Sequence, residues 1–411
     1  MALDKVDEGA DGLNLSRYQW RTLWAATAGY AMDGLDLMVI SYVMVALIKA
    51  FHLTPAQAGG IATVTLMGAV LGGYVFGILA DRYGRVRTFS YSILIFAVFT
   101  GLTALSPNLA WLNITRFLAG IGLGGEFGIG MTLVTEAWPG AYRSRGTAMV
   151  AVGFQLGMVV ALLASMWLVP IFGWRGAFVF GALPALFAWW VRRNLDEPAL
   201  WTAAHDSGRA RGMPLKHLFS SPRIVATTIG LTIMTSVQNF GFYGIMVWLP
   251  TMLAKQLGFS FNQSLTWTMV VIVGMIAGIA VFGVFADRMG RRPAYITFQI
   301  GSAVVVWIFF QQTAPVVLLL LGAVMGFFVN GMMGGYGAIL AEHYPTEARS
   351  TAENFIFNTG RAVGGFGPFV IGTLALTQSL SSALGFLSAI YVVAALAMFF
   401  LVPETKGKVL T

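Results

Sequence analysis

Gly77-Ile-Leu-Ala-Asp81-Arg82-Tyr-Gly84-Arg85 returns 206 residues later as Gly283-Val-Phe-Ala-Asp287-Arg288-Met-Gly290-Arg291. The same offset carries Glu136, Pro139, Arg143 and Ser144 onto Glu342, Pro345, Arg349 and Ser350. Two separate loops that share one spacing mark an internal repeat. The chain therefore reads as two parallel copies of one unit, and each quoted loop follows a long apolar run.

Working outward, apolar runs fall at about 24–48, 60–80, 88–106, 110–134, 147–170 and 174–191 in the first copy. In the second they fall at 225–250, 265–286, 294–311, 315–341, 353–376 and 382–402. These are spans 1 to 12, each near the ~20 residues that cross a bilayer as a helix. Fifty-seven per cent of the 411 residues are hydrophobic, a tenth are charged and the mean hydropathy is +0.76. No soluble surface is built from so little charge. The expectation is an all-α membrane protein of twelve transmembrane helices in two pseudo-symmetric six-helix bundles. Residues 1–192 form the first bundle, 193–222 a cytoplasmic linker and 223–411 the second bundle. The chain has no cysteine, which removes disulfides, thiolate metal sites and cysteine nucleophiles. Met1 to Asn14 lack the basic-then-apolar order of a cleavable signal.

The formal charge of +8 is unevenly placed. The N-terminus, the connections after spans 2, 4, 6, 8 and 10, and the C-terminus together hold twenty of the twenty-five basic residues. The other side holds Lys49, Arg175 and Lys255, while Arg116 and Arg361 lie inside spans. That asymmetry places both termini in the cytoplasm. It is a topology signal and implies no nucleic-acid partner.

The repeated loop resembles the signature of the major facilitator superfamily. Arg116-Phe-Leu-Ala-Gly120, Asp196-Glu-Pro198-Ala-Leu-Trp201 and Pro403-Glu-Thr-Lys-Gly407 resemble further marks of that family, and the likeness covers nearly the whole chain. It implies alternating access, with the halves rocking about a midplane site. In that picture Asp81, Arg82, Arg85, Glu136 and Arg143, with Asp287, Arg288, Arg291, Glu342 and Arg349, are gating residues. Their carboxylates would cap a neighbouring helix or pair with arginine while the cytoplasmic side is closed. Asp33-Gly-Leu-Asp36, the Gly120–Gly128 stretch around Glu126, and Asn354-Phe-Ile-Phe-Asn358-Thr-Gly-Arg361 resemble the organic-acid:proton symporters. These are the aromatic-acid group, whose helix 1 motif Asp33 and Asp36 match, and the sialate/monocarboxylate group, which the Gly-Gly-Glu stretch and Asn358-Thr-Gly-Arg361 resemble more closely. In the first group the paired aspartates are implicated in transport.

A charge at the bilayer centre costs at least ~2.5–3.5 kcal/mol, so one that is kept has a use or a partner. Asp33, Asp36, Arg116, Glu126 and Arg361 are the charges well inside spans. At ~1.5 Å per residue, Asp36 and Arg116 sit at matching depths of ~18–20 Å from the cytoplasmic edge. Asp33 and Arg361 both lie ~12–13 Å from it. Arg361 is the candidate for a substrate carboxylate, because a guanidinium fork stays charged and matches both oxygens. Asn358 and Asn354 share its helix face, and the repeat sets Gln155 opposite. Gln238, Asn239, Tyr30, Tyr243 and Tyr336 complete the candidate substrate-binding set, with Asn330 and Trp248 nearby. Asp33 or Asp36, then Glu126, are candidate proton carriers, and Arg116 tunes them. Static bridges from Arg361 to a neighbouring carboxylate, from Asp36 to Arg116 and from Glu126 to a basic loop such as that of Arg143 are the structural alternatives.

His52, His205, His217 and His343 lie in loops or at span ends, which leaves no histidine relay. Gly122-Leu-Gly-Gly follows no strand, so it is not a nucleotide loop. The reading is of a carrier, not an enzyme, that needs no cofactor. It takes up a small organic anion with protons, sits in membrane lipid of the inner membrane and functions as a monomer. Efflux of cationic drugs, a neutral-sugar or polyol porter, and a non-transporting receptor are the rival readings.

Overall fold

The computed structural model describes residues 15–53, 55–206, 214–258, 261–375, 377–408 and 410. Span 1 is α1 (Arg17–Phe51), span 2 is α2 (Pro55–Tyr83) and span 3 is α3 (Arg85–Thr103). Span 4 is two helices, α4 (Leu109–Gly124) and α5 (Glu126–Ala137), which meet at Gly125. Spans 5 and 6 occupy α6 (Arg143–Phe180) and α7 (Pro184–Asn194); α6 turns at Gly173, whose φ of 66° suits glycine. The connection between the halves carries α8 (Ala199–Asp206) and the 3₁₀ turn Pro214–Phe219.

The second half repeats the order. It holds α9 (Pro222–Leu257), α10 (Phe261–Met289), α11 (Arg291–Phe310), α12 (Pro315–Gly331), α13 (Tyr336–His343), α14 (Arg349–Gly364), α15 (Gly367–Leu374), α16 (Leu380–Gly385) and α17 (Leu387–Leu401). Not every apolar run is one unbroken helix. Span 10 breaks at the 3₁₀ turn Met332–Gly335, and span 11 breaks at Gly365-Phe366 before Gly367-Pro368. Glycine and proline weaken the helix at these places. Broken backbone is tolerated at membrane depth only where protein or a cavity covers it.

Local signals set the helix ends. Asn108 and Ser221 accept from the backbone N–H three residues on, capping α4 and α9. Gly84 and Gly290 turn α2 into α3 and α10 into α11 with φ of 112° and 107°, a region closed to most side chains.

Within the first half α1 lies along α6 and α2 along α4; within the second, α9 lies along α14 and α10 along α12. The repeat holds at atomic detail. A Cβ on Gly72 would fall 1.9 Å from the Ile121 carbonyl oxygen, and one on Gly278 would fall 2.1 Å from that of Phe327. Only glycine admits these approaches, which suits helices associating by close packing in lipid. Between the halves, α2 packs on α14 and α6 on α10. Trp167, Leu186, Val316 and Phe400 are exposed, as an outer face solvated by hydrocarbon requires. Eight helical stretches among the described residues are long and apolar enough to cross a membrane. Spans 1 and 11 are not among them, and those two carry Asp33 and Arg361.

Candidate functional site

Arg361, on the last turn of α14, reaches across the interface to Asp33 on α1. Its Nη2 donates to Asp33 Oδ1 at 2.9 Å and its Nη1 to Oδ2 at 3.2 Å. Both residues are buried, so the fork that sequence assigned to a ligand carboxylate holds a carboxylate of the other half. Tyr30, Phe154 and Gln155 from the first half join Gln238, Asn239, Phe242, Tyr243, Asn330, Met333, Phe357 and Arg361 from the second around a cavity of about 20 Å³. That space is roughly one water molecule's. Gln238 donates to Asn330 Oδ1 at 2.7 Å and accepts from Tyr336 Oη at 3.3 Å. Gln155 Oε1 is buried without a partner. Tyr30 packs on Phe127 and Phe154. Arg361 also lines a groove of about 670 Å³ that runs between α2 and α14 toward Thr63 and Phe366, away from the end bearing the repeated loops.

Asp36 and Arg116 meet as their depths suggested, but inside one half. Arg116 Nη1 donates to both Asp36 oxygens at 2.9 and 3.0 Å, Nη2 to Thr100 at 2.8 Å and Nε to Thr103 at 3.1 Å. The guanidinium lies over the Phe178 ring. Each strong donor has an acceptor, so the pair is a satisfied knot among α1, α3 and α4. Glu126 opens α5 and is fully buried, and neither of its carboxyl oxygens has a hydrogen-bond partner. It does not bridge to Arg143. The charged groups facing it are Asp33, Asp36 and Arg361.

At the end bearing the repeated loops, two matching clusters tie the halves together. Asp81 accepts from the backbone N–H groups of Ser350 and Thr351, at 3.2 and 2.7 Å, and so caps α14. Asp287 accepts from those of Ser144 and Arg145, both at 3.2 Å, and so caps α6. A carboxylate on a helix N-terminus satisfies orphan donors and meets the positive end of the dipole. Arg85 bridges Asp81 to Glu136, which also takes Arg349 at 2.7 Å. Arg291 bridges Asp287 to Glu342, which also faces Arg143 at 3.6 Å. Lys408 donates to the Glu342 carbonyl, and burial lowers its ammonium below the usual lysine range.

Some candidates lie elsewhere. Arg82 and Arg288 are exposed and take no part in these clusters. Asn354 and Asn358 are buried off the cavity wall: a Cβ on Gly77 would fall 3.0 Å from the Asn354 Cβ, and Asn358 donates to the Gly124 carbonyl at 3.2 Å. Tyr336 stands behind Gln238. Sequence reading missed Glu197 and Glu404, whose carboxylates cap α3 and α11 through the N–H groups of residues 86–87 and 291–292. It also missed Glu353, whose only hint was its place directly before Asn354 at the start of span 11.

The sequence profile of the Major Facilitator Superfamily matches residues 26–281 and 237–411. A putative metabolite transport protein of Haemophilus influenzae is 48% identical over 96% of this chain and 99% of its own. The cis,cis-muconate transport protein of Acinetobacter baylyi is 30% identical over 88% of each. The solved proton:xylose symporter XylE, bound to 6-bromo-6-deoxy-D-glucose, superimposes with a TM-score of 0.79 at 20% identity, covering 96% of this chain and 98% of that one. That likeness speaks to fold alone. The chain belongs to the major facilitator superfamily: it is a multi-pass membrane transport protein and not an enzyme.

Proposed function

We propose that this superfamily member carries a small organic acid into the cell together with a proton, and that Asp33 and Arg361 couple the two. The observation that carries the reading is the bidentate Asp33–Arg361 pair, which spans the halves at the wall of the central cavity. While Asp33 is ionised it occupies the guanidinium fork, and an incoming carboxylate finds that fork taken. When Asp33 accepts a proton, its charge is lost and the fork is free for the substrate's two oxygens. The anion then binds only to a protein that has already taken its proton. After the halves rock, the acid leaves, Asp33 gives its proton to water, and the carboxylate returns to Arg361. Asp36 cannot trade partners as readily, because Arg116 is held by two threonines as well.

The basic end lies in the cytoplasm by the positive-inside rule. Its paired clusters then make the described conformation one closed to the cytoplasm, with the groove between α2 and α14 leading outward from Arg361. The described cavity is too small for any organic acid, so binding requires the walls to part. The muconate transport protein among the relatives supports an acid as substrate. A cation-efflux reading would leave Asp33 as the binding group, but Arg361 already neutralises it. A bacterial inner membrane fits the organisms of the relatives.

Reconstitution in liposomes tests this. With an inward proton gradient, labelled carboxylates, sugars and cationic dyes are offered in turn. Carboxylate accumulation that an uncoupler collapses is the expected result. Dye extrusion or sugar uptake without carboxylate uptake overturns the reading.

A further inference from the structure

Asp33, Asp36, Asp81, Glu136, Asp287 and Glu342 each pair with an arginine. Among the described residues, the fully buried acids that do not are Glu126 and Glu353. Glu353 lies on α14, where that helix meets α5 of the other half. Its Oε2 is 3.0 Å from Thr132 Oγ1, and its Oε1 has no partner. The Thr132 hydroxyl has one proton and lies 2.9 Å from the Gly128 carbonyl, which competes for it. An anion left there would have at most one neutral hydrogen bond and no counterion in contact. Such a charge is far costlier to bury than a neutral carboxyl, which can itself donate to Thr132.

The surrounding charges do not relieve that cost: Arg349 favours the anion from beyond contact, while Glu136 and Asp81 oppose it. On α14, Arg349 is committed to Glu136 of α5; α2 brings Asp81, which Arg85 of α3 shares with Glu136. Glu342 of α13 is held by Arg291 and Arg143. The 3₁₀ turn Thr346–Ala348 carries Glu347, and the turn Pro214–Phe219 carries Lys216 and His217 at the surface side. From α9 the neighbours of α14 are Thr235 and Asn239, both uncharged.

We infer that Glu353 is a proton-binding site of the inner gate: it holds a proton while the two halves are closed on each other at Thr132, and loses it to water when that end opens. The site deepens the transport reading above, because it lies on the side where the proton is released. Opening breaks the Glu353–Thr132 bond, hydrates the carboxyl and removes the penalty on its ionised form. Closing requires the proton back. Acid on the inner side therefore holds the gate shut, and an importer of acid with its proton is slowed by its own product.

The chain's lack of cysteine permits a direct test. Spin labels on Tyr83→Cys and Met289→Cys, two exposed positions related by the repeat, report the inter-half distance at the gate by double electron–electron resonance. No substrate or gradient is present, so the outcome does not depend on what the protein carries; liposome uptake judges that separately. The parent is expected to shift from a short to a long distance as pH rises from about 5 to about 8, the range open to a desolvated carboxyl. Glu353→Gln keeps a donor and cannot ionise, so it should stay short throughout. A pH response in Glu353→Gln equal to the parent's, or none in the parent, overturns the proposal. Should Glu353→Gln not yield folded protein, Thr132→Val and Thr132→Ser decide. Valine should lose the short distance at acid pH and serine should keep the parent's response; a parental response in the valine variant also overturns it.

Discussion

Gly77 of α2 faces Asn354 of α14, and Gly283 of α10, its repeat partner, faces Ala148 of α6. From the other side, Gly128 of α5 meets Asn354 again where Gly334 of the 3₁₀ turn meets Ala148. The two interfaces between the halves thus share a backbone plan and differ in what fills it. The α2–α14 seam holds Glu353, Asn354, Asn358 and Arg361; the α10–α6 seam holds Thr147, Ala148, Val152 and Gln155 at the matching positions. Thr147 donates to the Gly334 carbonyl at 2.8 Å, a bond no pH in the physiological range can remove. Its counterpart Glu353 meets Thr132 through a group that titrates. At these matching positions one seam carries groups that do not titrate, and the other carries Glu353 and Arg361.

That contrast can be broken or sharpened by experiment. The largest effect is expected from Arg361→Ala, which leaves Asp33 buried without its counterion. Removing one partner of a buried pair costs about 3–5 kcal/mol, and carboxylate uptake in liposomes should fall at least about 100-fold. Gln155→Ala, the same change in the other seam, should cost under about tenfold, one neutral hydrogen bond's worth. Equal losses from the two would erase the distinction.

Next comes Asp36→Asn, where Arg116 keeps its threonines but loses its counterion. A loss of about 3–5 kcal/mol is expected from the cost of an unpaired buried charge, read as a lowered midpoint in thermal unfolding. Asp33→Asn should instead leave anion exchange running and abolish accumulation against a gradient. Anion binding to the parent should strengthen as external pH falls, because protonating Asp33 frees the fork. In Asp33→Asn the binding curve should be flat with pH, and a curve that still rises toward acid would name another group.

Ala148→Asn would write the polar residue into the apolar seam. The site is tight, so overpacking of about 1–3 kcal/mol is expected, seen as a longer inter-half distance at the basic end. The smallest effect is expected from Glu197→Gln and Glu404→Gln, which weaken matching helix caps by about 0.5–1 kcal/mol each. Thermal midpoints of the two should drop alike, since these caps lie outside both seams.

The twelve spans, the repeat and the family were legible in the sequence, because lipid demands long apolar runs and the Asp-Arg-x-Gly-Arg loop occurs at a fixed offset. The match of Asp36 with Arg116 was legible from depth alone, since both are needed to neutralise each other inside one half. A bridge from Arg361 to a neighbouring carboxylate was one of the alternatives, but Asp33 was not singled out as its partner, although their depths agreed. Their helices belong to different halves, and nothing in a single chain says which faces turn inward. Asn354 and Asn358 were read with Arg361 as one polar face, but the face is split. Its upper end reaches the cavity, while its lower end presses on glycines of α2, α4 and α5. Glu353 was passed over for a related reason: near a span's start, a buried acid looks the same as a solvated one.

The knot of Asp36, Arg116, Thr100 and Thr103 pins three helices of one half at a point a single turn from Asp33. In mechanical terms α1 is the stator. Asp33 is thereby held in place, so in the transport cycle proposed above the movement that makes and unmakes the central pair is assigned to α14. That helix ends at Gly364-Gly365, where Gly364 lies so close to α9 that a Cβ there would fall 2.5 Å from the Asn239 Cβ. A side chain at Gly364 would be expected to push α14 off α9 and so disturb the central pair without touching a single charge.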